Sequence, residues 1–254
     1  MNPDELADRM RQGEVFHSLR MLPGAWVVLR VDGRGFSRLT EERYEKPFDA
    51  RFHEVMVRTA STLLEEFQGL YAYTQSDEIS VLFRPEWSLF DREVEKLVSL
   101  SAALASATFT HAAGAPATFD SRAWLGVDVQ AVADYFRWRQ SDATRCALNG
   151  WCYWTLRKEG WSVRKATSEL EGSTVSSKNE LLFQRGINFN EVPLWQRRGT
   201  GLFWERYVKE GVDPRDGRLV PTERRRLKVE PSLPMKEEYE AWLRRILEEP
   251  KPEA

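Results

Sequence analysis

Leu70-Tyr71-Ala72-Tyr73-Thr74-Gln75-Ser76-Asp77-Glu78-Ile79-Ser80-Val81-Leu82-Phe83 is the stretch on whose reading the fold depends. An aromatic and apolar run, a short polar break, and Ile79, Val81 and Phe83 alternating against Ser80 make the pattern of a β-hairpin. A tight hairpin favours Gly or Asn at its centre, because the preferred turns need positive φ there. Ser76-Asp77 stands there instead, followed by a second acid, Glu78. A local rule broken at paired carboxylates points to a site rather than a simple turn.

Upstream, Ala25-Trp26-Val27-Val28-Leu29-Arg30-Val31-Asp32 reads as a strand whose near-continuous apolar run implies cover on both faces. It stops at Asp32-Gly33-Arg34-Gly35-Phe36, where two glycines let the backbone bend and approach a ligand. After Lys46-Pro47, apolar residues from Phe52 to Phe67 recur at helical spacing, which predicts a helix over 50–67. Downstream, a helix is expected over Leu89–Phe109 with Phe90 on its core face. A strand over Phe119–Val127 and a long helix over Val129–Arg157 follow. Strand, helix, strand, strand, helix, strand is the βαββαβ order of an α+β, ferredoxin-like fold with packed helices on an antiparallel sheet. Connectivity then brings Asp32 and Asp77 together at one edge of the sheet.

The flanks are less regular. Asp4–Arg20 reads as an amphipathic helix carrying Leu6, Met10, Val15, Phe16 and Leu19. Beyond Gly160 the pattern weakens to a short helix over Ser162–Leu170, the basic and aromatic segment Pro193–Gly201, and Arg224-Arg225-Arg226-Leu227-Lys228. A final amphipathic helix spans Lys236–Leu247, and the last residues read as disordered. Residues 1–160 are expected to form the catalytic domain. Residues 161–254 form a C-terminal extension that completes the site, without a linker long enough to force independence.

Composition narrows the function. The 254 residues are 42% hydrophobic, enough for a real core. With 37 basic and 39 acidic residues the net charge of −2 gives no global nucleic-acid signature, so any basic surface is local. Ten tryptophans favour aromatic packing or base stacking. Cys146 and Cys152 fit neither a CxxC motif nor a disulfide framework and read as reduced, partly buried thiols. His17, His53 and His111 form no metal-ligand pattern. The charged N-terminus and the lack of an 18-residue apolar run imply a cytoplasmic protein with no membrane partner.

The acids suit Mg²⁺, a hard cation that favours carboxylates, carbonyls and phosphates. Asp32 and Asp77, with the Gly33 carbonyl, are the candidate metal ligands, and two bridging carboxylates are the arrangement of two-metal phosphoryl transfer. Glu78 would bind metal directly or support it. The turn Gly33, Arg34, Gly35, Phe36 and Ser37 would present N–H groups to a triphosphate. Taken alone, each acid also reads as a strand cap and each glycine as a bend. Arg38 stands where the third glycine of a dinucleotide fingerprint would be, and no Walker A motif is present. Lys46, Lys178, Arg197 and Arg198 are candidates for neutralising phosphate. Arg224–Lys228 reads either as an RNA backbone contact or as a partner for the acidic last helix, Glu237–Glu249.

Seven motifs in order resemble the tRNA-His guanylyltransferases and their bacterial and archaeal relatives. They are Asp32-Gly33-Arg34-Gly35-Phe36, Lys46-Pro47 with Asp49, Gln75-Ser76-Asp77-Glu78, Phe119-Asp120-Ser121-Arg122, Trp138-Arg139-Gln140-Ser141-Asp142, Lys178-Asn179-Glu180 and Arg198-Gly199-Thr200. The resemblance implies a polymerase-type palm that adds nucleotides in the 3′-to-5′ direction to the 5′ end of tRNA. ATP activates the 5′-monophosphate, and the 3′-hydroxyl of GTP or another NTP then attacks. It further implies two Mg²⁺ on Asp32, Gly33 and Asp77, catalysis by Asp32, Asp77 and Glu78, and nucleotide held by Gly33 to Ser37, Ser76 and Asp77. Lys46, Lys178 and Asn179 would also contact nucleotide, and the assembly would be a homotetramer.

Two departures bear on substrate choice. Thr144-Arg145-Cys146-Ala147-Leu148-Asn149-Gly150 keeps only Leu148 of the family's His-Ile-Asn-Asn-Leu-Tyr-Asn run, and Ser37 replaces a histidine. The expectation is therefore template-dependent repair of tRNA 5′ ends, with strict guanylate addition to tRNA-His as the alternative. A palm-fold nucleotidyl cyclase or a non-catalytic tRNA-binding module are the competing classes.

Overall fold

The computed structural model describes residues 2–212 and 218–248. A short helix α1 (Pro3–Arg11) precedes the central strand β1 (Trp26–Arg34), which runs into α2 (Phe36–Arg43) and α3 (Ala50–Glu66). The hairpin is β2 (Tyr71–Gln75) and β3 (Glu78–Phe83). A 3₁₀ turn (Leu89–Arg92) leads to α4 (Val94–Ala113), β4 (Thr118–Gly126) and the long α5 (Val129–Lys158). The C-terminal part holds α6 (Val163–Leu170), α7 (Val175–Phe183), α8 (Leu194–Arg198), β5 (Thr200–Val212), β6 (Leu219–Glu230) and α9 (Lys236–Glu248).

The six strands of the described residues form one antiparallel sheet in the order β4-β1-β3-β2-β5-β6. The first four strands have the βαββαβ connectivity read from the sequence. β5 extends the same sheet from β2 and β6 follows it, so the C-terminal strands share a sheet with β1 to β4. Strand alternation sorts the core. Val27, Leu29, Val31, Ile79, Val81 and Phe83 face α3 and α4, whereas Trp26, Val28, Tyr71, Tyr73 and Leu82 face α5 and α9. A third cluster joins the end of α5 to α6 and α7. Caps set the helix starts: Asp49, Asp128, Ser162 and Thr174 each accept a backbone N–H of the first turn.

Four expectations are corrected. The N-terminal helix ends at Arg11, not Arg20, capped by the Gln12 backbone N–H, and Val15, Phe16 and Leu19 are exposed in the turns that follow. The helix expected from Leu89 starts at Val94, and Phe90 is exposed. The Arg92 guanidinium binds the carbonyls of Pro85, Trp87 and Ala25 and holds residues 90–92 in the left-handed region, which no helix can continue through. Phe36 begins a helix rather than finishing a turn. The run Arg224–Lys228 lies on β6, where Arg226 and Lys228 pair with Glu205 of β5 and not with the last helix, whose Glu240 binds Arg137 and Arg244. The expected disorder of the last residues falls on 249–254, outside the described residues.

Candidate active site

β1 and the hairpin converge where the sequence placed them. Asp32 sits opposite Glu78 in one register and opposite Asp120 in the other. The Gly33 N–H donates to the Asp77 carbonyl at 3.0 Å, tying the strand end to the turn. The two-residue turn is made by Ser76 in the left-handed region, φ 53°, so a non-glycine residue carries the strain there. Ser76 Oγ donates to Asp77 Oδ1 at 3.0 Å.

The three carboxylates are not equivalent. Arg139 of α5 grips Glu78 with both arms, at 2.7 and 2.6 Å, and both side chains are largely buried. Arg139 also reaches Asp142 at 3.2 Å, and Asp142 holds Arg145 at 2.6 Å. Both Glu78 oxygens are thereby occupied by protein. Arg122 pairs with Asp120 at 2.9 Å and reaches Asp32 only at 4.0 Å. Asp77 has no ion-pair partner among the described residues. Burial pushes its carboxyl above the ordinary Asp range and the Asp32 charge adds to this. Its own backbone N–H, Ser76 and Lys46 pull partly back. Burial likewise raises Glu78, against the opposing pull of Arg139.

Asp77 opens on a polar cavity of about 300 Å³ lined by Ser37, Thr40, Glu41, Lys46, Ser76, Tyr153 and Trp154. Burial holds the Lys46 ammonium below its ordinary pKa, while Glu41 and Asp77 favour its charge. Through Thr40, Lys46, Ser76 and Trp154 this cavity adjoins a slot of about 210 Å³, walled by Phe48, Phe52, Trp154 and Trp195 on the aromatic side. Gln75 and His53 add polar atoms, and Cys146, Ala147 and Gly150 of α5 line the slot as well. His53 stacks on Trp195 at 4.3 Å and shares a 2.8 Å hydrogen bond with Thr200 Oγ1. Burial pushes it down to about 4, so it is neutral at physiological pH.

Of the expected residues, Asp32, Gly33, Phe36, Ser37, Lys46, Ser76, Asp77 and Glu78 gather here, whereas Arg34 and Gly35 line a separate concavity beside α2 and β4. Lys178 and Asn179 sit on α7 and line neither cavity. The Lys178 carbonyl accepts from Cys152, and Asn179 bonds the Val175 carbonyl. Arg197 and Arg198 hold the carbonyls of Asn190, Val192 and Leu233, a structural use of their charge. Cys146 is exposed rather than partly buried. The sequence reading assigned no role to Arg139, Tyr153, Trp154 or Trp195. The visible signal was that Arg139 and Trp154 recur along one long helix, which had to cross the hairpin to reach it.

Among the described residues one trio of His, Asp, Glu or Cys has all its ligand atoms within 4.8 Å: His17, Glu93 and Glu95. It lies at the opposite end of β1 from Asp77, and Glu93 is already paired with His17, Arg20 and Lys96. The Asp32–Asp77 pair fits a hard cation better. Its donors are oxygens, burial outweighs the pull of Lys46 on Asp77, and the two carboxylates repel each other unless a cation lies between them.

Residues 7–126 match the protein family described as tRNAHis guanylyltransferase, and residues 130–240 match the Thg1 C terminal domain. The tRNA(His) guanylyltransferase of Debaryomyces hansenii is 35% identical over 228 residues, 83% of this chain and 86% of that protein. The probable tRNA(His) guanylyltransferase of Mus musculus is 35% identical over 198 residues, 73% of this chain and 66% of that protein. A bacterial tRNA(His) guanylyltransferase (Thg1)-like protein, solved in complex with ATP, superposes with a TM-score of 0.75 at 26% identity over 95% of this chain and 98% of that one. A bacterial Thg1-like protein in complex with GTP gives 0.72 at 26% identity over 96% of this chain and 99% of that one. The fold is the palm-type α+β domain with a C-terminal extension that the sequence implied.

Proposed function

Since this chain belongs to the tRNAHis guanylyltransferase family and is a nucleotidyltransferase, we propose that it adds guanylate to the 5′ end of tRNA-His in the 3′-to-5′ direction. The relatives' names support this alternative of the sequence reading above its main expectation of general 5′-end repair. In the first step a 5′-phosphate oxygen of tRNA attacks the α-phosphorus of ATP and pyrophosphate leaves. In the second, the GTP 3′-hydroxyl attacks the activated 5′-phosphorus and AMP leaves.

The observation that carries the reading is Asp77, a half-buried carboxylate with no ion-pair partner among the described residues, beside Asp32 and opening on the polar cavity. Asp32, Asp77 and the Gly33 carbonyl would hold two Mg²⁺, which supply positive charge to the phosphates at the reacting phosphorus. Lys46, Ser37 and Ser76 line the polar cavity and would bind the triphosphate. The aromatic slot beside it would take the base. Glu78, held by Arg139, keeps the hairpin turn in position instead of meeting metal. Lys178 and Asn179 would reach RNA from α7, outside both cavities. The C-terminal part, with Arg224 and Arg225 on β6, would contact the tRNA body.

The test is purified protein with 5′-monophosphorylated tRNA-His lacking its extra guanylate, ATP, GTP and Mg²⁺. One-nucleotide 5′ extension is expected, and cyclic product from NTP alone without extension would sink the proposal. Repair of 5′-truncated tRNAs is a second reading, favoured by the altered Thr144–Gly150 stretch along the slot. Extension of several truncated tRNAs by the complementary NTP would establish it. A cytoplasmic homotetramer completes the proposal. It is supported by exposed Val15, Phe16, Leu19 and Leu22, and light scattering checks it. Among the described residues no helix is long and apolar enough to cross a membrane.

A further inference from the structure

Gly150 is a glycine that nothing among the described residues calls for. It lies in the interior of the 30-residue α5, where glycine destabilises a helix relative to alanine. Every other described glycine has a reason. Either its φ is left-handed, as at Gly35, or an added Cβ would meet a neighbour at 3.2 Å or closer, as Gly33 would meet the Phe36 ring. At Gly150 the φ is not left-handed and a Cβ would meet nothing within 4 Å. Neither backbone conformation nor packing explains the residue.

The space it leaves is the slot beside the Asp77 cavity. Gly150 lines it from α5, with Cys146 and Ala147 before it and Trp154 one turn further on. Glycine in a regular element marks a place where another group comes close to the backbone. The slot, of about 210 Å³, is flanked by flat rings and joins a cavity that carries Lys46 and Ser76. A planar base whose phosphates extend toward Lys46 matches that shape and polarity.

We propose that Gly150 is a specificity-determining residue: its missing side chain lets the ring system of a purine nucleoside triphosphate lie against the α5 backbone. The inference rests on the reading of the slot as the base site of the nucleotidyltransferase. It assigns to one position of the altered 144–150 stretch the acceptance of a two-ring base. A methyl group added there would stabilise the empty helix and obstruct the filled slot, so stability and binding move in opposite directions.

The experiment uses the full chain and titration calorimetry with ATP, GTP and CTP in Mg²⁺, beside thermal melts without nucleotide. Gly150→Ala is expected to raise the Tm by ~2–4 °C. It should weaken ATP and GTP by about tenfold and affect CTP less. Asn149→Ala, exposed on the same helix and outside the slot, is the control and should leave all three affinities in place. A stabilised Gly150→Ala that binds ATP and GTP as wild type does overturns the inference while leaving the proposed function standing. Equal weakening of CTP removes the purine preference, and a lowered Tm shows that the space was never open. Failure of the wild-type chain to bind any of the three nucleotides overturns the base-site reading itself, and Gly150's role with it.

Discussion

At the start of β1, Glu93 is buried among His17 at 3.2 Å, Lys96 at 3.1 Å and Arg20 at 3.7 Å. At the other end of the same strand, Asp77 is half-buried beside Asp32 with no ion-pair partner among the described residues. Both places are carboxylate clusters, and the first even has the tighter grouping of ligand atoms. Their electrostatics are opposite. Lys96, His17 and Arg20 outweigh burial at Glu93 and hold it below the ordinary Glu range, whereas burial and Asp32 hold Asp77 above the ordinary Asp range. A cluster of acids is a cation site only where the protein withholds its own cations. Glu78, one residue away, is raised like Asp77 but differs in its partner: Arg139 holds both its oxygens, whereas Asp77 faces the cavity.

The largest effect that would break this comparison is on activity. Asp77→Ala should lower nucleotide transfer by on the order of 10³-fold while the circular dichroism spectrum stays native. Retained transfer would show that the metals are placed wrongly. Next, Arg139→Ala should destabilise the fold by ~3 kcal/mol, because it strands a buried Glu78. Adding Glu78→Gln should recover part of that loss in urea melts, and an additive double variant would mean that the pair is not coupled.

Smaller is the metal effect. Mg²⁺ at about 100 times its Kd should add ~2.7 kcal/mol of stability. Asp32→Asn with Asp77→Asn should remove that gain, and His17→Ala should not. A gain abolished by His17→Ala would move the cation to the other end of β1.

The smallest effect is on pH dependence, and its sign differs between the two ends. Asp77 titrates higher in the fold than in the unfolded chain. The folded state therefore binds more protons, and metal-free stability falls as pH rises from the ordinary Asp pKa through the raised one. Glu93 titrates lower, so its stabilisation is complete above the ordinary Glu pKa and is lost as pH falls through the depressed one. In melts from pH 3 to 8, Asp77→Asn should flatten the first trend and Glu93→Gln the second. Unchanged profiles in both variants would remove the contrast.

Much of the fold was legible because its signals are local. The apolar run of β1 is buried on both faces as its sequence implies, and the strand and helix order places Asp32 beside the hairpin turn. The β5–β6 ribbon was not legible. Its outer residues face water on both sides, so neither strand shows the apolar alternation that marks a buried face. The left-handed turn at Phe90–Arg92 was hidden for another reason, since it depends on carbonyls that Arg92 finds at Ala25 and Pro85.

Chain order and residue type by themselves determined the βαββαβ core, the meeting of Asp32 with Asp77, and the oxygen-rich chemistry available there. Which acid remained available for a cation was decided by tertiary structure alone. Arg139 lies 61 residues from Glu78 and reaches it because α5 crosses the hairpin face. The slot beside Asp77 likewise exists only once α5 faces the Lys46 loop and Trp195. Charge neutralisation and cavity shape depend on distances in space, and these arise only when the packed faces of the sheet bring distant segments together.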